Sequence, residues 1–153
     1  MNPKLINILK TGFALYILLM LWLLFGQRVG LDYSGSYSEI VTSNLNLVPF
    51  QTIHNYLLLL SSTSSGTAFR HAIINLAGNV IMFVPLGFFL PNVFTKRNTF
   101  TGCILQCAIL ILIIEIIQLF TLLGSCDIDD FILNMAGAAA GYGIYTVLRK
   151  TII

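Results

Sequence analysis

Long apolar runs alternate with short polar connections along this chain. A run of about 20 mostly apolar residues is long enough to cross a bilayer as a helix. We predict four spanning helices on this pattern, at Gly12–Gly26, His71–Leu90, Phe100–Leu123 and Asp130–Leu148. Pro91 is expected to end the second helix and Pro85 to bend it, because proline has no backbone donor and clashes with the preceding turn.

The first two predicted helices are joined by a long polar connection from Arg28 to Arg70. Its apolar patch, Tyr56–Leu60, is too short to span, which favours a helix at the membrane interface or a re-entrant segment. The first run follows a basic start, which is also typical of a signal peptide. No small-x-small cleavage site follows it, so we interpret it as an uncleaved span.

Composition supports a membrane protein. The chain is 57% hydrophobic and 9% charged, whereas soluble domains carry roughly a quarter charged residues. We therefore predict one integral membrane domain over residues 1–153, an all-α bundle of four transmembrane helices. The net charge of +2, with no basic patch beside aromatic residues, argues against nucleic-acid binding. The three cysteines have no His partners in a zinc spacing, so no metal or cofactor is expected.

Charge distribution predicts the orientation of the bundle. Lys and Arg concentrate in cytoplasmic segments of membrane proteins. With both termini cytoplasmic, six of the eight basic residues lie inside, namely Lys4, Lys10, Lys96, Arg97, Arg149 and Lys150. Arg28 and Arg70 are then outside, together with most of the acidic residues, and an odd number of spans would lose this separation.

Polar residues recur inside the predicted spans at matching depths. With a rise of 1.5 Å per residue, Glu115 and Asn79 both lie about 12 Å below the outer end, whereas Asn75, Gln118 and Asn134 lie roughly 6–8 Å below it. Spacings of three or four residues place the polar groups of each helix on one face. We expect these faces to turn inward and line a polar pocket that opens to the outer surface.

Structural roles are the alternative for the same residues. Asn and Gln commonly join membrane helices by hydrogen bonds worth about 1 kcal/mol. A charged Glu115 near the helix centre costs on the order of 3 kcal/mol unless it is neutral or paired, which favours a functional role. Asp127 or Asp129 can cap the fourth helix. The repulsion of these two carboxylates with Asp130 would be relieved by a hard cation, by a basic group of a substrate, or by Arg70.

Gly137 and Gly141 have the small-xxx-small spacing that lets membrane helices approach closely. This spacing predicts close packing of the fourth helix. The partner helix is either in the same bundle or in a second copy of the chain, so a homo-oligomer through these glycines is one of two alternatives.

Three sequence blocks resemble the VanZ-like family, small membrane proteins associated with resistance to the glycopeptide teicoplanin. The blocks are Asn46–Phe50, Asn75–Gly87, and Glu115–Phe120 together with Asp127–Gly137. The resemblance implies a multi-pass protein of the bacterial cell membrane, with a lipid-linked cell-wall precursor or a glycopeptide antibiotic as partner. Many members carry an arginine where this chain has Gly124, so a mechanism that needs a cation there would use another residue, such as Arg70.

Three functional hypotheses follow. In the first, a VanZ-like protein lowers susceptibility to teicoplanin-type antibiotics or maintains the cell envelope. It acts through a pocket that contains the carboxylates of Glu115 and Asp130 and the binding residues Asn75, Asn79, Gln118, Asp127, Asn134 and Arg70. In the second, an intramembrane enzyme acts on a lipid-linked envelope substrate, with Glu115 and Asp130 as catalytic acid and base. No established catalytic motif is present, so enzymatic activity stays open. In the third, the polar residues only hold helices or a partner.

Overall fold

Four long helices form the body of the protein. The computed structural model describes residues 3–26, 35–94 and 99–152. Each long helix is apolar enough to cross a membrane, which confirms the predicted four-helix class. Their bounds are α1 at Pro3–Leu21, continued by a π-helical turn at Trp22–Gly26, then α4 at Thr67–Val93, α5 at Phe100–Thr121 and α6 at Ile128–Ile152.

Three of the helices run further than the apolar pattern indicates, since α6 also extends beyond the predicted Asp130–Leu148 at both ends. The prediction that Pro91 ends the second span is wrong, because α4 continues through this residue to Val93. The backbone hydrogen bonds of α4 resume beyond the proline, because the amide of Phe94 donates to the carbonyl of Leu90 at 2.9 Å. The first span also starts earlier than predicted. α1 begins at Pro3 rather than at Gly12, so the basic segment before Gly12 is helical from Pro3 onward.

Contact between α4 and α6 forms the centre of the bundle. A Cβ atom added to Gly137 would overlap the carbonyl oxygen of Val80, and one added to Gly141 would overlap that of Val84. A Cβ on Gly87 of α4 would in turn meet the backbone of α6. The predicted close packing of the fourth helix is therefore made inside one chain, and the homo-oligomer stays a prediction.

The hydrophobic core lies around this helix pair, with α5 packed mainly on α6 and α1 on α4. Its fully buried members come from all three of α4, α5 and α6. They are Phe83, Leu86, Cys103, Cys107, Ile111 and Ala138. The two core cysteines thus behave as small apolar residues.

From residue 35 onward, where the structure describes it, the long connection folds into two short helices and a strand. They are α2 at Tyr37–Ser43, β1 at Leu45–Asn46 and α3 at Gln51–Ser62. β1 pairs in parallel with β2, residues Cys126–Asp127, just before α6. The Tyr37 hydroxyl donates to the carbonyl of Phe120 at 2.8 Å near the end of α5. The connection is therefore fastened to one end of the bundle.

We call this the outer end, where α1 and α5 end and α4 and α6 begin, because the sequence predicts that it faces outward. Arg28, Lys96 and Arg97 lie outside the described residues, so the orientation of the bundle stays a prediction. The apolar patch Tyr56–Leu60 forms the second half of α3, which begins five residues before the patch.

A candidate polar site at the outer end

Asp127 fastens the start of α6 to the connection. Its Oδ1 accepts from the backbone amide of Asp129 at 2.8 Å, which caps α6 at its N-terminus. Its Oδ2 accepts from the Thr52 hydroxyl at 2.6 Å and from the Asn46 amide at 3.1 Å. The predicted cap of the fourth helix is confirmed for Asp127, which at the same time ties α6 to β1 and α3.

Asp129 caps a different helix from the one expected. The residue before α3, at its N-cap position, is Phe50, whose own side chain provides no cap. The carboxylate of Asp129 instead accepts from the backbone amide of Phe50 and from that of Ile53, the second at 3.0 Å. The first amides of a helix need acceptors and favour negative charge. This fully buried carboxylate is therefore explained by α3.

Asp130 connects α6 to α4. Its Oδ1 accepts a hydrogen bond from the side-chain amide of Asn79. Tyr56 of α3 lies close by: burial raises the pKa of its hydroxyl, and the negative charges of Asp130 and Asp127 raise it further. A phenol that keeps its proton is a hydrogen-bond donor next to these carboxylates.

Glu115 connects α5 to α6 deeper in the bundle. Its Oε1 accepts from the side-chain amide of Asn134 at 3.2 Å. Both residues are buried, with exposed fractions of 3% and 2%. The Oδ1 atoms of Asn134 and Asn75 are buried without a hydrogen-bond partner among the described residues. The interior of the site therefore holds two acceptors that lack a donor.

Cys126 lies in β2, directly before the capping residue Asp127. Burial raises the pKa of its thiol, and the charges of Glu115 and Asp127 add to that effect. The carboxylates of Glu115 and Asp127 therefore both act electrostatically on this one side chain.

Two residues predicted for the pocket lie at its margins. Gln118 is buried, and its amide donates across 3.5 Å to the carbonyl of Leu24 in the π-helical turn. This contact links α5 to α1. Arg70 is exposed on the first turn of α4. Its role in binding stays a prediction.

The structure thus brings together four of the predicted residues as two pairs, Asn79 with Asp130 and Asn134 with Glu115. Since Asp130 and Asn134 lie one turn apart on α6, the pairs are neighbours. Within the described ranges, no three His, Cys, Asp or Glu side chains are arranged to hold a metal ion.

Sequence reasoning missed Asn46, Thr52 and Tyr56 as members of this site. Asn46 and Thr52 also bond each other at 2.9 Å, so they form a closed triangle with Asp127. Asn46 begins the first sequence block that resembles the VanZ-like family, and this position was a signal that could have identified it as a site residue. Thr52 and Tyr56 offered none, because their side chains reach the site only through the pairing of β1 with β2.

Comparison with known proteins adds a family assignment to this geometry. The sequence model described as VanZ/LLP1 matches residues 13–149. This range includes every described side chain of the site. A search of curated proteins and a search of solved structures returned no match.

Proposed function

Because the chain belongs to the VanZ/LLP1 family, we propose that it lowers the susceptibility of a bacterial cell to glycopeptide antibiotics of the teicoplanin type. It does so at the outer face of the cell membrane, where these antibiotics meet their cell-wall targets. The polar site at the outer end is the part of the protein that acts.

One observation supports this proposal above the others. The three sequence blocks that carry the family resemblance are far apart in the chain, yet their polar side chains bond one another. Asn46 of the first block bonds Asp127 of the third, and Asn79 of the second bonds Asp130 of the third. Helix packing alone does not require that these blocks share one hydrogen-bonded site.

The chemistry of the site favours a ligand that donates hydrogen bonds. Carboxylates accept only, and the Oδ1 atoms of Asn75 and Asn134 add two buried acceptors. Hydroxyl, amide and ammonium groups occur throughout lipid-linked cell-wall precursors and glycopeptides. In the proposed mechanism the pocket opens to the outer face and holds such groups when the Asn79–Asp130 pair separates.

Expression in a teicoplanin-susceptible Gram-positive host tests the proposal. We expect the teicoplanin inhibitory concentration to rise relative to an empty vector when the protein is detected in the membrane. An unchanged inhibitory concentration, with folded protein present in the membrane, would contradict the proposed function.

A second candidate function is an intramembrane enzyme that acts on a lipid-linked envelope substrate. The different surroundings of two carboxylates favour it: Glu115 is buried between α5 and α6, whereas Asp130 is half-buried near the outer surface. Carboxyl groups in contrasting environments can divide acid and base roles.

Glu115→Gln separates this enzyme from a binding protein. Glutamine keeps an Oε1 acceptor for the amide of Asn134 but has no proton to transfer. For an enzyme we expect the resistance phenotype to disappear while membrane levels and thermal stability stay near those of the wild type. Full retention of the phenotype would exclude an acid or base role for Glu115.

A further inference from the structure

A short loop between β1 and α3 exposes consecutive apolar side chains. The loop, Leu47–Phe50, has exposed fractions of 64% at Leu47, 57% at Val48 and 62% at Phe50, and Pro49 is also exposed. Single exposed apolar residues are ordinary on protein surfaces, whereas a contiguous group marks a surface that contacts another apolar phase.

The loop is held in this exposed form by several bonds. The amide of Val48 donates to the Asn46 side chain at 3.2 Å, and the amide of Gln51 donates to the carbonyl of Val48 at 3.4 Å. Phe50 has a φ angle of 65°, a left-handed conformation that is costly for a residue with a side chain. Asp129 accepts from its amide and stabilises that conformation. The fold thus directs apolar side chains outward.

The position of the loop identifies what covers it. Asp129, which holds the loop, is in the first turn of a span that begins at Ile128. The loop therefore lies at the level where a membrane helix leaves the hydrocarbon. The stretch from Leu45 to Leu60 contains no Lys, Arg, Asp or Glu, so no side chain of these four types within the stretch opposes insertion. Leu57 and Leu58 on α3 are exposed as well, each at 54%.

We infer that the Leu47–Phe50 loop inserts into the outer leaflet, where lipid acyl chains near the headgroups cover it. Interfacial segments bury apolar and aromatic side chains at this depth. The inserted loop anchors α3 beside the polar site, through the bonds of Asp127 and Asp129 to the connection. This inference does not depend on the proposed antibiotic-resistance function.

Tryptophan fluorescence in liposomes tests the insertion. Trp22 is the one tryptophan of the sequence, so a Trp22→Phe background allows single reporters. Phe50→Trp places a reporter in the loop. Thr42→Trp on α2 is the control, because Thr42 is exposed in a surface depression that Ser38, Glu39 and Ser43 also line.

Lipids brominated near the headgroup end of the acyl chains are expected to quench Phe50→Trp several-fold more than Thr42→Trp. Deeper bromines should quench it less than shallow ones. Equal, weak quenching of both reporters would place the loop in water and overturn the inference. A blue-shifted emission that is insensitive to bromine and grows with the protein-to-lipid ratio would assign the surface to a second copy, which also overturns it. Leu47→Trp decides the question if Phe50→Trp does not fold.

Discussion

Replacing Gly137 with alanine tests the packing on which the site depends. A Cβ at this position would overlap the carbonyl oxygen of Val80 and lie 2.9 Å from the carbonyl carbon, both in the backbone of α4. Backbone atoms of a packed helix cannot rotate away as the end of a side chain can. The two helices would have to separate by on the order of 1 Å to restore ordinary contact.

The cost of this substitution follows from overpacking. Inserting a methyl group into a well-packed interior typically costs 1–3 kcal/mol, so we expect about 2 kcal/mol, roughly a 30-fold change in the folding equilibrium constant. Alanine also favours a helix over glycine by about 1 kcal/mol. Gly143→Ala on the same helix is the matched control, because its Cβ would meet nothing within 4 Å. The difference between the two variants isolates the steric cost.

Unfolding in mixed micelles with increasing SDS measures this difference. We expect Gly137→Ala to unfold at a lower SDS fraction than Gly143→Ala and the wild type. The Asn79–Asp130 bond crosses the same helix pair, so resistance should fall together with stability. Equal stability of the two glycine variants would refute the close contact between α4 and α6.

Two further predictions concern Asp129 and Cys126. Asp129→Ala should lower the free energy of unfolding by about 1–2 kcal/mol, because α3 loses its cap, and should speed hydrogen exchange at the amides of Phe50 and Ile53. The control Ser125→Ala should leave the exchange of these two amides unchanged. Slow exchange at the two amides in Asp129→Ala would reject this cap. The raised pKa of Cys126 leaves less thiolate at a given pH. The rate of its maleimide labelling, followed by mass spectrometry of the labelled peptide, should therefore increase with pH around a midpoint above the ordinary thiol pKa of 9.0. A midpoint at or below that value would show that neither burial nor the nearby carboxylates act on this thiol.

Hydropathy predicts the four spans because a bilayer requires each crossing segment to be long, apolar and internally hydrogen-bonded. The bounds are harder to predict. α4 continues through Pro91 because the residue is buried in the bundle and its neighbours keep their bonds. Local sequence rules describe the loss of one donor, whereas tertiary packing decides whether a helix ends there.

The depths of polar residues were sufficient to predict that α4, α5 and α6 share a polar layer. They do not predict that Asn79 pairs with Asp130 and Asn134 with Glu115, because pairing depends on how each helix is rotated. Small contacts such as that of Gly137 with α4 set this rotation.

The role of Asp129 was beyond local reasoning for a related reason. An aspartate just before or inside a helix start is ordinarily a cap for that helix. Here β1 and β2 pair across a separation of 81 residues between Asn46 and Asp127, and this pairing brings α3 within reach. Strands of two residues are too short to show a periodic pattern, so the sequence does not reveal that β1 pairs with β2.

The most direct test of the account compares two asparagines of α4. Asn79 bonds Asp130 in the polar site, whereas Asn92 donates to the carbonyl of Phe88 within its own helix at 2.8 Å. Each alanine variant removes one amide hydrogen bond from the same helix. At equal membrane levels in a susceptible host, we predict that Asn79→Ala loses most of the increase in teicoplanin inhibitory concentration and that Asn92→Ala keeps it. Equal retention by both variants would contradict a functional role for the polar site.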